Sequence, residues 1–511
     1  MTAPPTAAEP RDLPRLPALL AAVGVLWLLF LFFQDVYIDE VEHMHVAWLI
    51  GKLGLRPLHD FFQHHTPLLW HLLSPYYRWG GDGAEGLYYG RALVVACAVA
   101  MAAGLYGFAR GRAADRASAL HGFALALLSL AMTSATLVAL LTLRPETLSA
   151  ALFGLSLLCW ARRRLPLDAL AGALFGAALY SSPRFAVLGG AFLLLAAKPD
   201  ALVETSWRRL AALAAGTLAA VVALPVALGD SLQYLRFALL FSALLQQLGD
   251  PGLLGRELQQ LHLRMPLLLA APALMVYLYA TFFLFLPPAQ RRRLEWHLAY
   301  LLVVVVASVA VCWPYPYVQN FYPAILLAVV QCAEFGVRLD WRNLPLGRTY
   351  LSVTAALCTA ATLWNLLVAV AAGETLMDSV LFRRQLQHLL RGGDVVLMSY
   401  ENHPIAARDA SYYGPGLVDS PNRLCLAVAA WEGPPALPRC DYYEALVTRK
   451  PAIVDYRFRV MMPWDKRLEA SDFVSRNYAA VTSQTLRGKA KVRGILVRPS
   501  ILERERAAAR Q

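Results

Sequence analysis

Apolar runs long enough to cross a bilayer recur along this chain, and that recurrence limits its fold more than any motif does. The first run is 16–34. Others lie near 90–109, 118–143, 146–161, 166–180, 185–197, 210–229, 265–288, 297–313, 321–337 and 349–372. A helix rises about 1.5 Å per residue, so about 20 apolar residues cover the hydrocarbon layer. Backbone polar groups in lipid must be satisfied within each segment, which leaves helices for runs of this kind. Hydrophobic residues make up 58% of the 511 and charged residues only 16%, against about 25% charged in a soluble domain. A disordered chain is excluded and an ordinary soluble enzyme is disfavoured. The expectation is a mainly α, polytopic membrane protein with about eleven transmembrane helices.

The formal net charge of +12 would suit nucleic-acid binding if it formed one patch. It is instead divided among loops. With the N-terminus inside, alternate loops carry the clusters Arg110, Arg112 and Arg116; Arg162 to Arg164; Lys198, Arg208 and Arg209; Arg291 to Arg293; and Arg338, Arg342 and Arg348. The opposite loops carry single arginines such as Arg56, Arg144 and Arg184. Clusters inside and single residues outside follow the positive-inside rule. The expected location is therefore the plasma (inner) membrane, with no nucleic-acid partner. The first span follows Arg11 and Arg15 without a convincing cleavage site, so it reads as an uncleaved span.

An odd number of spans sends the C-terminal part outside. The chain then divides into a membrane domain, 1–372, with a first outer loop at 35–89, and an extracytoplasmic domain, 373–511. In the latter, short strand-like runs (395–398, 424–429, 452–454, 494–497) alternate with helix-like stretches (374–391, 442–448, 468–479), which predicts a small α/β domain. Cys425 and Cys440 fall there, and an oxidising compartment favours a disulfide between them. The other five cysteines lie in apolar stretches.

The polar minority collects in the first outer loop, which opens Asp35-Val-Tyr-Ile-Asp39-Glu40-Val41-Glu42-His43-Met44-His45. Ionisable groups at a membrane surface are costly to bury and therefore point to function. Val41, Met44, His45, Trp48 and Leu49 repeat at helical spacing, so a short helix with one apolar face is expected in the interface plane. Gly51 and Gly54 can end it. Asp39 with Glu42 also has the spacing of a capping box, which alone would account for Asp39. It leaves Asp35, Glu40, His43 and His45 unaccounted for. His59, His64 and His65 follow in the segment His59-Asp-Phe-Phe-Gln-His64-His65-Thr-Pro-Leu. Imidazoles can shuttle protons, donate to phosphate or ligate a divalent metal. The candidate metal ligands are His43, His45 and His64, although neither His-x-His nor His-His spacing is a zinc signature.

The Asp39-Glu40 pair after the first span, the in-plane helix and the Asp-Phe-Phe-x-His-His-x-Pro-Leu stretch together resemble the GT-C superfamily of membrane glycosyltransferases. The branch of closest resemblance contains the protein O-mannosyltransferases and the lipid A aminoarabinose transferase. The likeness covers the whole chain in layout and mainly residues 35–75 in motif. It implies a sugar donor carried on polyprenyl phosphate, a GT-C-like membrane domain and an acidic residue of the first loop as general base. That residue is Asp39 here, with Glu40 beside it. A hydroxyl is a poor nucleophile until its proton is accepted, and a carboxylate near the anomeric carbon stabilises positive charge building on the ring.

Further candidates lie at the outer span ends. Arg144-Pro145-Glu146 can hold a phosphate or brace its loop, and Pro145 can break a helix. Arg184 is a second phosphate candidate. Tyr315 and Tyr322 belong to an aromatic cluster that suits the headgroup layer and can also line a sugar pocket. With His59, His64 and His65 they complete the candidate substrate contacts. A polar loop at Ser399–Pro404, followed by Arg408-Asp409, is a candidate for acceptor recognition. The reading is an inverting glycosyltransferase acting at the outer membrane face, with a lipid, glycan or protein hydroxyl as acceptor. The rival is a transporter or flippase without covalent chemistry. It would place ionisable residues near the mid-plane of several spans, whereas here they sit at span ends.

Overall fold

The computed structural model describes residues 15–57, 59–63, 65–81, 83–132, 141–196, 207–230, 288–312 and 321–338, isolated positions between 356 and 371, and residues 375–412, 442–455, 462, 464–481 and 494–508. His64, Tyr315, Cys425 and Cys440 lie outside the described residues.

Within the described residues the apolar runs become helices; the run at 265–288 lies almost wholly outside them and that at 349–372 mostly so. These helices are α1 (Arg15–Phe33), α4 (Gly86–Arg112), α5 (Arg116–Met132), α6 (Pro145–Ala161), α7 (Leu165–Ser181), α8 (Gly189–Ala196), α9 (Trp207–Leu228), α10 (Pro288–Cys312) and α11 (Tyr322–Arg338). Among the described residues, Gly83–Arg112 and Trp207–Leu228 are long and apolar enough to cross a membrane by themselves. Small residues bring these helices together. A Cβ on Gly104 of α4 would lie 2.3 Å from the Gly154 backbone of α6, and one on Gly172 of α7 would lie 2.0 Å from the Leu213 carbonyl of α9. Close backbone approach of this kind is how helices associate where lipid removes the hydrophobic drive. Leu28 and Phe32 of α1, Val222 and Val226 of α9, and Leu302 and Val306 of α10 stay exposed, as apolar side chains facing lipid would. The fold is that of a mainly α, polytopic membrane protein.

Between α1 and α4 lie α2 (Ile38–Leu53) and α3 (Leu68–Arg78). Gly54 ends α2 in the left-handed region at φ 66°. Its N–H and that of Leu55 return to Ile50 O and Leu49 O, a glycine C-cap. Gly51 does not end the helix. Its bare Cα lets α3 approach, since a Cβ there would lie 2.3 Å from Ser74 O. The expected single apolar face of α2 is corrected: every residue from Glu40 to Ile50 is buried. The periodicity is present, but α3, α4 and the C-terminal part close over the polar side as well.

That C-terminal part holds α12 (Leu376–Leu389), α13 (Tyr442–Arg449), α14 (Arg467–Asn477) and α15 (Pro499–Ala508) around a five-stranded sheet of order β2-β1-β3-β5-β4. The strands are β1 (Val395–Leu397), β2 (Arg408–Asp409), β3 (Ile453–Asp455), β4 (Ala479–Ala480) and β5 (Ile495–Val497). β1 is parallel to β2 and β3, and β5 is antiparallel to β3 and β4. The predicted strand run at 424–429 lies outside the described residues. The sheet is docked onto the loop region around α2. Ser379 Oγ donates to Asp35 Oδ1 at 2.6 Å, Arg384 pairs with Glu85, and the Phe62 N–H donates to Tyr412 O at 2.7 Å.

Candidate active site

The start of α2 decides which carboxylate is usable. Tyr37 is the N-cap, so the group that turns back to cap the helix is Glu40, accepting the Tyr37 N–H at 2.9 Å. The capping role read for Asp39 belongs to Glu40 instead. Glu40 is 1% exposed and has further partners. Arg91 of α4 pairs with it at 2.6 Å, and the Leu143 N–H donates to its other oxygen at 3.0 Å. Its oxygens are committed to joining α2, α4 and the segment before α6.

Asp39, one residue earlier, has a side chain 20% exposed and makes direct contact with Arg144. Arg144 is the N-cap residue of α6, with Pro145 in the first helical turn. Pro145 therefore begins a helix, where its missing N–H and fixed φ cost nothing. Glu146 follows in the first turn, favoured there by the helix dipole. Arg144 Nε stands 3.8 Å from Glu146 Oε2, and its guanidinium lies 5.4 Å from the Tyr37 ring centre. Arg184 Nη1 donates to Glu146 Oε1 at 2.9 Å. Ser181 Oγ donates to Pro145 O at 2.9 Å, and the Thr66 hydroxyl donates to Ser181 O. These bonds hold the end of α7, and with it Arg184, beside the start of α6.

Four sequence candidates thus form one chain of contacts, Asp39–Arg144–Glu146–Arg184. Tyr322, at the start of α11, is 0% exposed and feels the charges of Arg144, Glu146 and Asp39. Among the described residues, neither its hydroxyl nor Arg144 Nε has a hydrogen-bond partner. A buried unpaired donor costs about 1–3 kcal/mol, so both atoms are suited to a ligand. Burial pushes the Asp39 carboxyl above its ordinary value, Arg144 opposes this, and Glu146 adds to it. A carboxyl shifted upward is a better proton acceptor than a free one.

Glu42 was read only as the partner of a cap. It is 4% exposed and receives one hydrogen bond, from Gln63 Nε2 at 2.8 Å. Burial, reinforced by the charge of Asp39, pushes its carboxyl up to about 8.

His43 and His45 do not converge, and His64 of the expected set lies outside the described residues. His43 Nδ1 accepts from Trp70 Nε1 at 3.0 Å, and its ring meets His65 edge-on at 5.3 Å. His45, two residues on, faces elsewhere because such neighbours are about 200° apart on a helix. Its Nδ1 lies 2.7 Å from Ile405 O, and its Nε2 lies 2.9 Å from Asp409 Oδ2. His403 completes the group, with Nε2 at 3.3 Å from Asp409 Oδ1. The pairing of His43 with His45 in a metal set is therefore corrected: among the described residues the group that converges is His45, His403 and Asp409. Two observations bear on its chemistry. A carbonyl only accepts, so His45 carries a proton on Nδ1. His403 Nδ1 accepts the Ile405 N–H at 3.1 Å, so its proton sits on Nε2, the atom a metal would need. The donor set fits a hydrogen-bonded triad better than a metal centre. Burial and the positive charge of His45 push His403 down to about 4. Burial works against the Asp409 charge, but His45 and the hydrogen bonds from both rings hold that carboxyl below its usual range.

His59 is largely exposed and turned to Asp60 at 2.7 Å, away from the cluster.

The sequence matches no family model and no curated protein. The fold matches two crystal structures of ArnT from Cupriavidus metallidurans. The form bound to undecaprenyl phosphate is 13% identical, with a TM-score of 0.58 over 95% of this chain and 98% of that one. The apo form is 15% identical, with a TM-score of 0.57 over 95% and 97%. The chain therefore has the fold of the ArnT structures over nearly all of its length.

Proposed function

With the GT-C fold as the premise, we propose that this chain is an inverting glycosyltransferase. It takes a sugar from a polyprenyl-phosphate donor and passes it to a hydroxyl-type acceptor, with Asp39 as general base. The observation that carries the reading is the position of Asp39. Of Asp39, Glu40 and Glu42, it alone has a partly open side chain, and it touches an arginine that leads on to Glu146, Arg184 and the Tyr322 hydroxyl. The undecaprenyl phosphate bound by the matching ArnT structure supports a lipid phosphate as the carrier.

The chemistry follows from these groups. The donor phosphate exchanges the carboxylate partners of Arg144 and Arg184 for its own oxygens, and guanidinium suits this geometry. Arg144 then releases Asp39. The acceptor oxygen attacks the anomeric carbon as the bond to the phosphate oxygen breaks, and the phosphate leaves with the electron pair. Asp39 takes the acceptor proton, and its negative charge faces the positive charge growing on the ring. The two arginines stabilise the departing phosphate, so no strong acid is needed there. The placement of arginine clusters and single arginines in the sequence supports an extracytoplasmic position for this site and the C-terminal domain.

Mass spectrometry of the lipid that copurifies with the intact chain tests the donor class. A polyprenyl phosphate or its glycosylated form is expected. Recovery of bulk phospholipid alone, with no binding of added undecaprenyl phosphate, would overturn the reading.

A further inference from the structure

Among the described residues, Asp39, Glu42 and Glu146 place three carboxyl groups against two guanidiniums, Arg144 and Arg184, in a largely buried cluster. Three ionised acids would leave the cluster negative before an anionic lipid phosphate arrived. Burying an unpaired carboxylate is among the costlier arrangements in a protein, and neutralisation by a proton is the usual escape. The contacts differ among the three carboxyls. Asp39 touches Arg144, and Glu146 lies between Arg144 and Arg184. Glu42 is 4% exposed and forms no ion pair among the described residues. Its partner is a neutral amide, Gln63, which donates to Oε1 and leaves Oε2 to carry a proton.

We propose that Glu42 is the proton-holding residue of the donor site. Neutral, it leaves Arg144 and Arg184 with two carboxylates to exchange for a lipid phosphate; ionised, it adds a third that competes for Arg144 and weakens donor binding. Glu42 is thus a positioning residue, acting through Arg144 and Asp39, three residues before it on the same face of α2. The groups facing it are Asp39 on α2, Gln63 from the loop before α3, Arg144 from the segment before α6, and Tyr400 from the C-terminal part. Gln63 does not titrate. Arg144 keeps its charge, and burial holds the Tyr400 hydroxyl well above its usual value. Burial pushes Asp39 up as well, but it has Arg144 in direct contact to favour its charge. Glu42 has no such contact among the described residues, and burial and Asp39 push it up to about 8, so it is the carboxyl assigned the change of state under mildly alkaline conditions.

The inference rests on the donor-site reading above, and its test separates the two. Undecaprenyl phosphate binding is measured from pH 7.5 to 9.5 on the intact protein and on Glu42→Gln. The probe's own second ionisation, near pH 6 for a phosphate ester, lies below this window. The wild type should lose affinity by about tenfold per pH unit once Glu42 ionises. Glu42→Gln keeps the shape and the neutrality, and its affinity should stay within about twofold across the same window. If both proteins lose affinity in parallel, Glu42 is not the controlling group. If the wild type binds no undecaprenyl phosphate at any pH, the donor-site reading itself fails. An infrared titration of the wild type keeps the test open should Glu42→Gln fold poorly. A protonated carboxyl band must be present at pH 7, fall to about half near pH 8 and be gone by about pH 9.5; its absence at pH 7 would overturn the inference.

Discussion

The start and the middle of α2 carry ionisable side chains to opposite effect. At the start, Asp39 meets Arg144 in a cluster where a buried hydroxyl and a guanidinium nitrogen lack hydrogen-bond partners among the described residues. One and a half turns on, His45 meets Asp409 and His403, and every ring nitrogen of the two histidines has a partner. A polar network with free valences can take a ligand, whereas a satisfied one holds parts together. The first region reads as the reaction site. The second is the pin between α2 and the C-terminal sheet.

The pin should break with the largest effect on stability. Asp409→Ala leaves the buried rings of His45 and His403 without the carboxylate that both bond to, which costs about 1–3 kcal/mol for each unsatisfied group. Thermal unfolding should show the loss. At temperatures where the variant is folded, undecaprenyl phosphate affinity should stay near wild type, because the donor cluster is not touched.

Acid should loosen the same pin. His403 is held at about 4 in the folded protein, below the ordinary value of about 6.5. Between these values the unfolded chain binds a proton that the folded chain refuses, so stability falls as pH drops from about 6.5 to 4. The loss is on the order of 3 kcal/mol when complete. His403→Gln should flatten that slope in a pH series of unfolding measurements. An unchanged slope would assign the sensitivity to another group.

Arg184→Ala removes a charge-assisted contact from the open cluster, worth about 1.5–3 kcal/mol. Affinity for undecaprenyl phosphate should fall about ten- to a hundredfold, with a much smaller shift in unfolding temperature. The reverse pattern, stability lost and affinity kept, would make Arg184 a structural brace of Glu146. The smallest effect belongs to His59→Ala. This exposed ring, bonded to Asp60, should change stability by no more than about 0.5 kcal/mol and leave the transfer rate unaltered.

Much of the fold was legible because lipid demands long apolar helices, and the span ends carried the polar residues. Arg144, Glu146, Arg184 and Tyr322 could be named for that reason. Their convergence with Asp39 depends on the hydrogen bonds that join the ends of α6 and α7, which leave no mark in a sequence pattern. Asp39 and Glu40 look equivalent as neighbours, but residues one apart on a helix point about 100° away from each other. Only the position of Arg91, 51 residues farther along, shows which of the two is tied up. The partner of His45 lies 364 residues away, beyond any local signal. Glu42 was the avoidable omission, since its spacing from Asp39 already put both on one face.

The account turns on Asp39 as the base, so the most direct measurement is the rate of sugar transfer by purified Asp39→Asn, given lipid-linked sugars extracted from the same membranes. Asparagine keeps the shape and removes the proton acceptor. The account predicts a rate at least about a hundredfold below wild type, with unfolding temperature and undecaprenyl phosphate affinity retained. Transfer at the wild-type rate would contradict it and remove Asp39 from the chemistry.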